Sequence, residues 1–175
     1  MRFLFAAFAF LVPFLDQAAE KELLMKIAIS SDCYYPIIDL LIEDVKKRGH
    51  EVHYFGPRNE KDLEIDWPEV TAQAVEEIRK GRADEAIILC WTGTGCSIIA
   101  NKMGGIRAAL CVDAETAKGA RIYNHANVLA LSLRLTSAGM LKEILEAWFN
   151  TPFGKDAWNV QQVKRVNELE EREKK

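Results

Sequence analysis

The run Ala86-Ile87-Ile88-Leu89-Cys90 opens directly onto Trp91-Thr92-Gly93-Thr94-Gly95-Cys96-Ser97, and this junction constrains the fold more than any other stretch. Consecutive apolar residues without alternation suit a strand covered on both faces, as in a parallel sheet sandwiched between helices. Glycines after such a strand allow a tight turn and a close approach of backbone to ligand, and the N–H groups that open the following helix attract an anion. The junction therefore predicts a strand–loop–helix unit holding a small anionic ligand. A glycine turn that serves only tight packing is the alternative. The segment has neither the lysine of a phosphate-binding P-loop nor the full spacing of a dinucleotide fingerprint, so nucleotide binding is not indicated.

The rest of the chain repeats the same beat. Lys26 to Ser30 reads as a strand ending at Ser31-Asp32, followed by a helix with its apolar face at Ile37, Leu40, Leu41 and Val45 that closes at Gly49. Glu51 to Phe55 is a second strand, and Pro68 starts a helix that buries Val70, Ala74, Val75 and Ile78 and stops at Gly81. Past the glycine loop come a helix through Ile98, Ile99 and Asn101, a strand at Ala108 to Cys111, a helix from Ala114 to Tyr123 and a strand at Asn127 to Leu131. Leu141 to Phe149 and the charged stretch Val160 to Lys175 read as helices. The expected fold is α/β: a Rossmann-like, doubly wound parallel sheet of about five strands flanked by helices, plus a C-terminal helix, with ligands at the carboxyl ends of the strands. Its 175 residues suit one domain, expected at 25–153, with 154–175 as a C-terminal segment and helix able to reach a partner subunit.

Composition narrows the partners. A net charge of -3 and the lack of a basic, aromatic-interleaved run argue against nucleic acid. Cys33, Cys90, Cys96 and Cys111 show no CxxC spacing and read as reduced thiols, which points to a cytoplasmic protein. His50, His53 and His125 form no pair at metal-ligand spacing, so no metal is expected. Residues 1–24 stand apart. Arg2 and the apolar run Phe3 to Leu15 imitate a secretion signal, but Asp16-Gln17-Ala18-Ala19 is a poor cleavage site and the run is too short to span a bilayer. Export is one reading of it; an extension ahead of a natural start at Met25 is the other. No membrane role is expected for the domain.

Several separated motifs, in order, resemble one family. Ser31-Asp32, Asp66-Trp67-Pro68, Cys90 to Ser97, Ala100-Asn101-Lys102 with Ile106 to Cys111, Asn124 with Ala126 to Leu129, and Arg134 are similar to the ribose-5-phosphate isomerase B and galactose-6-phosphate isomerase family, from Met25 to about Phe153. The resemblance implies aldose–ketose isomerisation of a sugar phosphate without metal or organic cofactor. It also implies a homodimer with shared active sites, or a dimer of such dimers.

On that resemblance Cys90 stands where many members carry the general base, and a helix N-terminus beside it would lower a thiol's pKa from about 8.5. A buried, inert thiol is the alternative. Cys96 matches a position where other members use a glutamate, and Thr92 completes the catalytic group. The N–H groups from Gly93 to Ser97, with Thr94 and Gly95 among them, would steady the enediolate. Asp32 resembles a sugar-hydroxyl ligand, Asn124 an enediolate or hydroxyl partner, and Arg134 a phosphate contact whose planar fork suits phosphate oxygens.

The pattern also breaks. Cys33 replaces a histidine near the phosphate, Tyr123 replaces the ring-opening histidine, and Trp91 replaces a glycine. A Gly-Gly-Arg-His segment is absent, with Gly154 to Asn159 in its place. A phenol with a pKa near 10 is a poor proton shuttle at neutral pH. Two readings follow: an isomerase for an open-chain sugar phosphate such as a tetrose phosphate, with His125 as a substitute shuttle if a ring must open, or a sugar-phosphate binder that has lost the chemistry.

Overall fold

The computed structural model describes residues 24–173. The expected N-terminal extension therefore lies, Leu24 aside, outside the described residues. These form five strands and six helices: β1 (Lys26–Ser31), α1 (Pro36–Lys47), β2 (Glu51–Phe55), α2 (Trp67–Arg79), β3 (Glu85–Cys90), α3 (Thr94–Asn101), β4 (Ala108–Leu110), α4 (Ala114–Asn124), β5 (Val128–Ser132), α5 (Ala138–Asn150) and α6 (Ala157–Glu173).

Local chemistry starts the helices where it does. Pro36 sits in the first turn of α1, where its missing N–H is not needed. Asp66, Asp113 and Ser137 cap α2, α4 and α5 by accepting the N–H groups of Glu69, Thr116 and Met140. The Ser137 cap is why α5 begins at Ala138, ahead of the apolar run at Leu141 from which the sequence places it.

All paired strands are parallel, in the order β2-β1-β3-β5-β4. Side chains alternate between two faces, as strand geometry requires. Ile27, Ile29, Ile87, Leu89, Leu129 and Leu131 face a core closed by α1, α4 and α5, with Trp148 fully buried in it. Ala28, Ala86, Ile88, Cys90, Val128 and Ala130 face the second core, under α2 and α3. The alanines let those two helices lie close to the sheet.

Two structural consequences bear on function. First, the chain leaves neighbouring strands β1 and β3 toward opposite faces, α1 to one core and α3 to the other, which opens a crevice at their carboxyl ends. Second, the opposite end of β3 is anchored by buried charge. Glu85 accepts from Arg121 Nη1 at 2.6 Å and from Trp148 Nε1 at 2.7 Å, while the Arg121 guanidinium stacks 4.3 Å from the Phe153 ring centroid. Among the described residues no helix is long and apolar enough to cross a membrane.

Candidate active site

At the end of β1 the backbone turns through Asp32 and Cys33. The Ser31 hydroxyl donates to the Cys33 carbonyl at 2.7 Å, and the Asp32 carbonyl accepts the Ile65 N–H at 2.8 Å, which ties the loop ahead of α2 to this turn. The Cys33 thiol donates to Asp32 Oδ1 at 3.3 Å. Burial, then the Asp32 carboxylate, push its pKa up to about 12, so Cys33 is a neutral thiol at physiological pH.

The neighbouring strand end presents Cys90, only 6% exposed. Its carbonyl accepts from Gly93 N–H at 3.2 Å and Leu133 N–H at 3.0 Å. The next carbonyl, of Trp91, accepts from the Ser132 hydroxyl at 2.9 Å and the Arg134 N–H at 3.2 Å. Arg134 is thus held against the loop by its backbone, with an exposed side chain. The Trp91 ring, 50% exposed, lies 5.8 Å from the Tyr35 ring, so two aromatics from neighbouring strand ends stand over the crevice.

Gly93 makes the turn. At φ +76° it occupies the left-handed region, and a Cβ there would lie 2.5 Å from Leu110 Cδ1 and 3.0 Å from the Leu131 backbone. It is also the N-cap of α3, and a glycine has no side chain to satisfy the first-turn amides. Thr92 and Thr94 pair their hydroxyls at 2.7 Å across it, and Trp67 packs its ring where a Gly95 Cβ would come within 3.1 Å.

The fully buried Cys96 thiol points back under the loop and donates to the Gly93 carbonyl at 3.2 Å. The Ile88 carbonyl, at 3.8 Å, and the Cys90 sulfur are further acceptors for that proton. A single rotatable S–H serves one acceptor at a time, and a thiolate outcompetes a neutral carbonyl. Donation from Cys96, which outweighs the opposing effect of burial, and help from the Cys96 and Gly93 backbone N–H groups hold the Cys90 pKa down, to about 6. The same pairing drives the Cys96 pKa well up. The site can therefore offer a thiolate base at neutral pH, beside the start of a helix that favours negative charge.

This arrangement refines the expected amide cradle. Ser97 N–H bonds the Gly93 carbonyl at 3.2 Å inside the helix, and the Gly93 and Cys96 N–H groups serve Cys90 itself. Thr94 and Gly95 carry the amides at the open end of α3, and the Ser97 side chain is half-buried.

Tyr123 and Asn124 are not brought to Cys90 within one chain. They end α4 just ahead of β5, whose first residue Val128 pairs with Ala86, whereas Cys90 pairs with its last residue, Ser132. The intervening strand spans roughly 13 Å at about 3.3 Å per residue. Both instead line a cleft of about 1070 Å³ between the β4 edge, α4 and α6. Neither Cys90 nor Cys96 lines that cleft.

The sequence profile of ribose/galactose isomerases matches residues 27–169. The chain belongs to that family. It is 35% identical over 151 residues to the galactose-6-phosphate isomerase subunit LacB of Clostridium acetobutylicum, covering 86% of each chain. It is 33% identical over 156 residues to a D-erythrulose-4-phosphate isomerase of Pectobacterium atrosepticum, covering 86% of this chain and 99% of that one. Its fold superposes on the type B ribose 5-phosphate isomerase of Leishmania infantum with a TM-score of 0.80 at 32% identity, over 86% of this chain and 99% of the other.

Within this ribose/galactose isomerase fold His125 has a structural occupation. It adopts a left-handed φ of 49° at the end of α4, shares a 2.8 Å hydrogen bond with the Gly154 carbonyl and stacks on Phe153 at 4.8 Å. The sequence marked Arg134 but neither Tyr35 nor the clamp that the Ser132 hydroxyl and Arg134 N–H make on the Trp91 carbonyl. Tyr35 carried a signal in its place just after Asp32, but the clamp carried none, because it depends on β5 lying beside β3.

Proposed function

We propose that this protein interconverts an aldose phosphate and a ketose phosphate, with Cys90 as the general base and an open-chain, four-carbon sugar phosphate as substrate. The observation that carries the reading is the Cys90 thiol at the β3 carboxyl end, its pKa held near 6 by Cys96 beside the uncapped start of α3. Membership of the ribose/galactose isomerase family supports the reaction class.

Starting from the aldose, the Cys90 thiolate takes the proton from C2. Charge collects on O1 as the enediolate forms, and the Thr94 and Gly95 amides steady it. A proton passes from O2 to O1, and the Cys90 thiol returns its own proton to C1. Asp32 holds a sugar hydroxyl, and Arg134 takes the phosphate through its guanidinium fork. Tyr123 and Asn124 enter from a second copy of the chain, because their own chain holds them a strand length away from Cys90.

The chain length of the substrate follows from the chemistry of the ring. A four-carbon sugar phosphorylated on O4 has no hydroxyl left to close a five-membered ring, so it presents a free carbonyl and needs no ring-opening histidine. Tyr123 at that position costs such a substrate nothing. The similarity to a D-erythrulose-4-phosphate isomerase supports the same choice.

Direct turnover assays test the proposal. D-Erythrulose 4-phosphate is expected to be converted with a higher kcat/KM than ribose 5-phosphate, and Cys90→Ala is expected to lower kcat by about 10²–10⁴-fold. A melting temperature raised by these sugars without any turnover would replace the enzyme by a binder.

A further inference from the structure

Cys90 and Cys96 have an arrangement that base catalysis alone does not require. Both lie in one core cluster, Cys96 with no exposure at all, and its S–H faces the Gly93 carbonyl inside the very turn that begins at Cys90. A small neutral oxidant reaching the crevice meets Cys90 first and cannot reach Cys96. Whatever Cys90 becomes has Cys96 as a neighbour.

We infer that Cys90 and Cys96 form a peroxide-responsive dithiol, in which the strand-end thiol is oxidised and the buried helix thiol resolves it to a reversible disulfide. The Cys90 thiolate attacks one oxygen of hydrogen peroxide, the O–O bond breaks, and Cys90 becomes a sulfenic acid while hydroxide leaves. The Cys96 sulfur then displaces the sulfenic oxygen, its proton departing with that oxygen as water, and the S–S bond closes. Two thiols are oxidised and one peroxide is reduced. The depressed pKa of Cys90 supplies the thiolate for the first step.

Cys33 is the competing partner, at the end of the neighbouring strand and half-buried. Its thiol donates to Asp32, and a carboxylate beside it opposes the loss of its proton. Formation of the Cys90–Cys96 bond would protect the sulfur from a second peroxide and stop turnover until a reductant restores it.

The sequence makes the test clean, and its readout does not need turnover, so its failure is separable from failure of the isomerase reading. Trypsin releases Cys90 and Cys96 on one peptide, Ala83–Lys102, and Cys33 on another, Ile27–Lys46. The reduced full chain is treated with equimolar hydrogen peroxide, alkylated with iodoacetamide, digested and weighed. The expected result is an Ala83–Lys102 peptide lighter by two hydrogens, unalkylated, and fully alkylated again after dithiothreitol. In Cys96→Ser the expected product at Cys90 is a sulfenic acid captured by dimedone, which passes to sulfinic acid with more peroxide. A Cys33–Cys90 cross-linked peptide, dimedone capture of Cys90 in the unaltered chain, or an unchanged peptide would each overturn the inference.

Discussion

The Cys96 thiol lies 3.2 Å from the Gly93 carbonyl oxygen, in the turn that Cys90 opens, and the same S–H turned onto the Cys90 sulfur steadies that thiolate. With the Cys90 pKa held down to about 6, kcat/KM is expected to rise with pH through that value as the thiol ionises and to level off above it. Cys96→Ala removes the largest stabilising contribution. Its acid limb is expected to move upward toward the ordinary thiol value of about 8.5. The pH profiles of the two proteins measure the shift directly, and a limb that stays near 6 in Cys96→Ala would mean that the backbone amides alone hold the thiolate.

Gly93 is expected to tolerate no side chain. Gly93→Ala must hold a left-handed φ while its methyl group meets Leu110 Cδ1 and the Leu131 backbone; the leucine side chain can yield, but the β5 backbone cannot without disturbing the sheet. Gly49→Ala is the control, because Gly49 also has positive φ, at 89°, yet nothing lies within 4 Å of a Cβ there. Left-handed strain alone is expected to cost the control about 1–2 kcal/mol. Gly93→Ala is expected to lose more than this in urea unfolding, and equal losses would show that the packing argument is wrong.

The parallel sheet was legible because buried strands such as Ala86 to Cys90 lack alternation, and α1 and α2 followed from apolar stripes with Pro68 starting the second. The strand order was not. The crossing of β4 past β5 depends on pairings such as Ala109 with Leu129, which leave no mark on either segment alone. The same limit applies to the site. Cys90 and the glycine loop are contiguous and could be read together, whereas the back-reach of Cys96 appears only once α3 has wound the chain beneath the strand end. Tyr123 and Asn124 could be read as site residues only through family resemblance, since the fold carries them to the end of β5 opposite Cys90.

Substrate choice is expected to turn on Tyr123. The ring is 56% exposed at the end of α4, so a histidine fits there without repacking the core. An imidazole with a pKa near 6.5 can pass a proton to a ring oxygen at neutral pH, which a phenol cannot. Tyr123→His is expected to raise kcat/KM for ribose 5-phosphate at least several-fold relative to that for D-erythrulose 4-phosphate. Parallel assays on the two sugars check this, and an equal change on both would exclude a ring-opening role for the position.

Glu85 is expected to govern stability without touching chemistry. It sits at the amino end of β3, the far end of the strand from Cys90, and both of its oxygens are engaged, one by Arg121 and one by Trp148. Glu85→Ala leaves the Arg121 guanidinium buried without its counter-charge, a loss of about 3–5 kcal/mol. Arg121 retains the Ala126 carbonyl at 2.9 Å and the Phe153 ring, neither of which neutralises it. Adding Arg121→Leu to Glu85→Ala is therefore expected to recover part of the loss, since an apolar group is cheaper to bury than a lone cation. Urea unfolding of the single and double variants measures both effects. A Glu85→Ala loss below about 1 kcal/mol, the level of an exposed ion pair, would show that water reaches this end of the sheet.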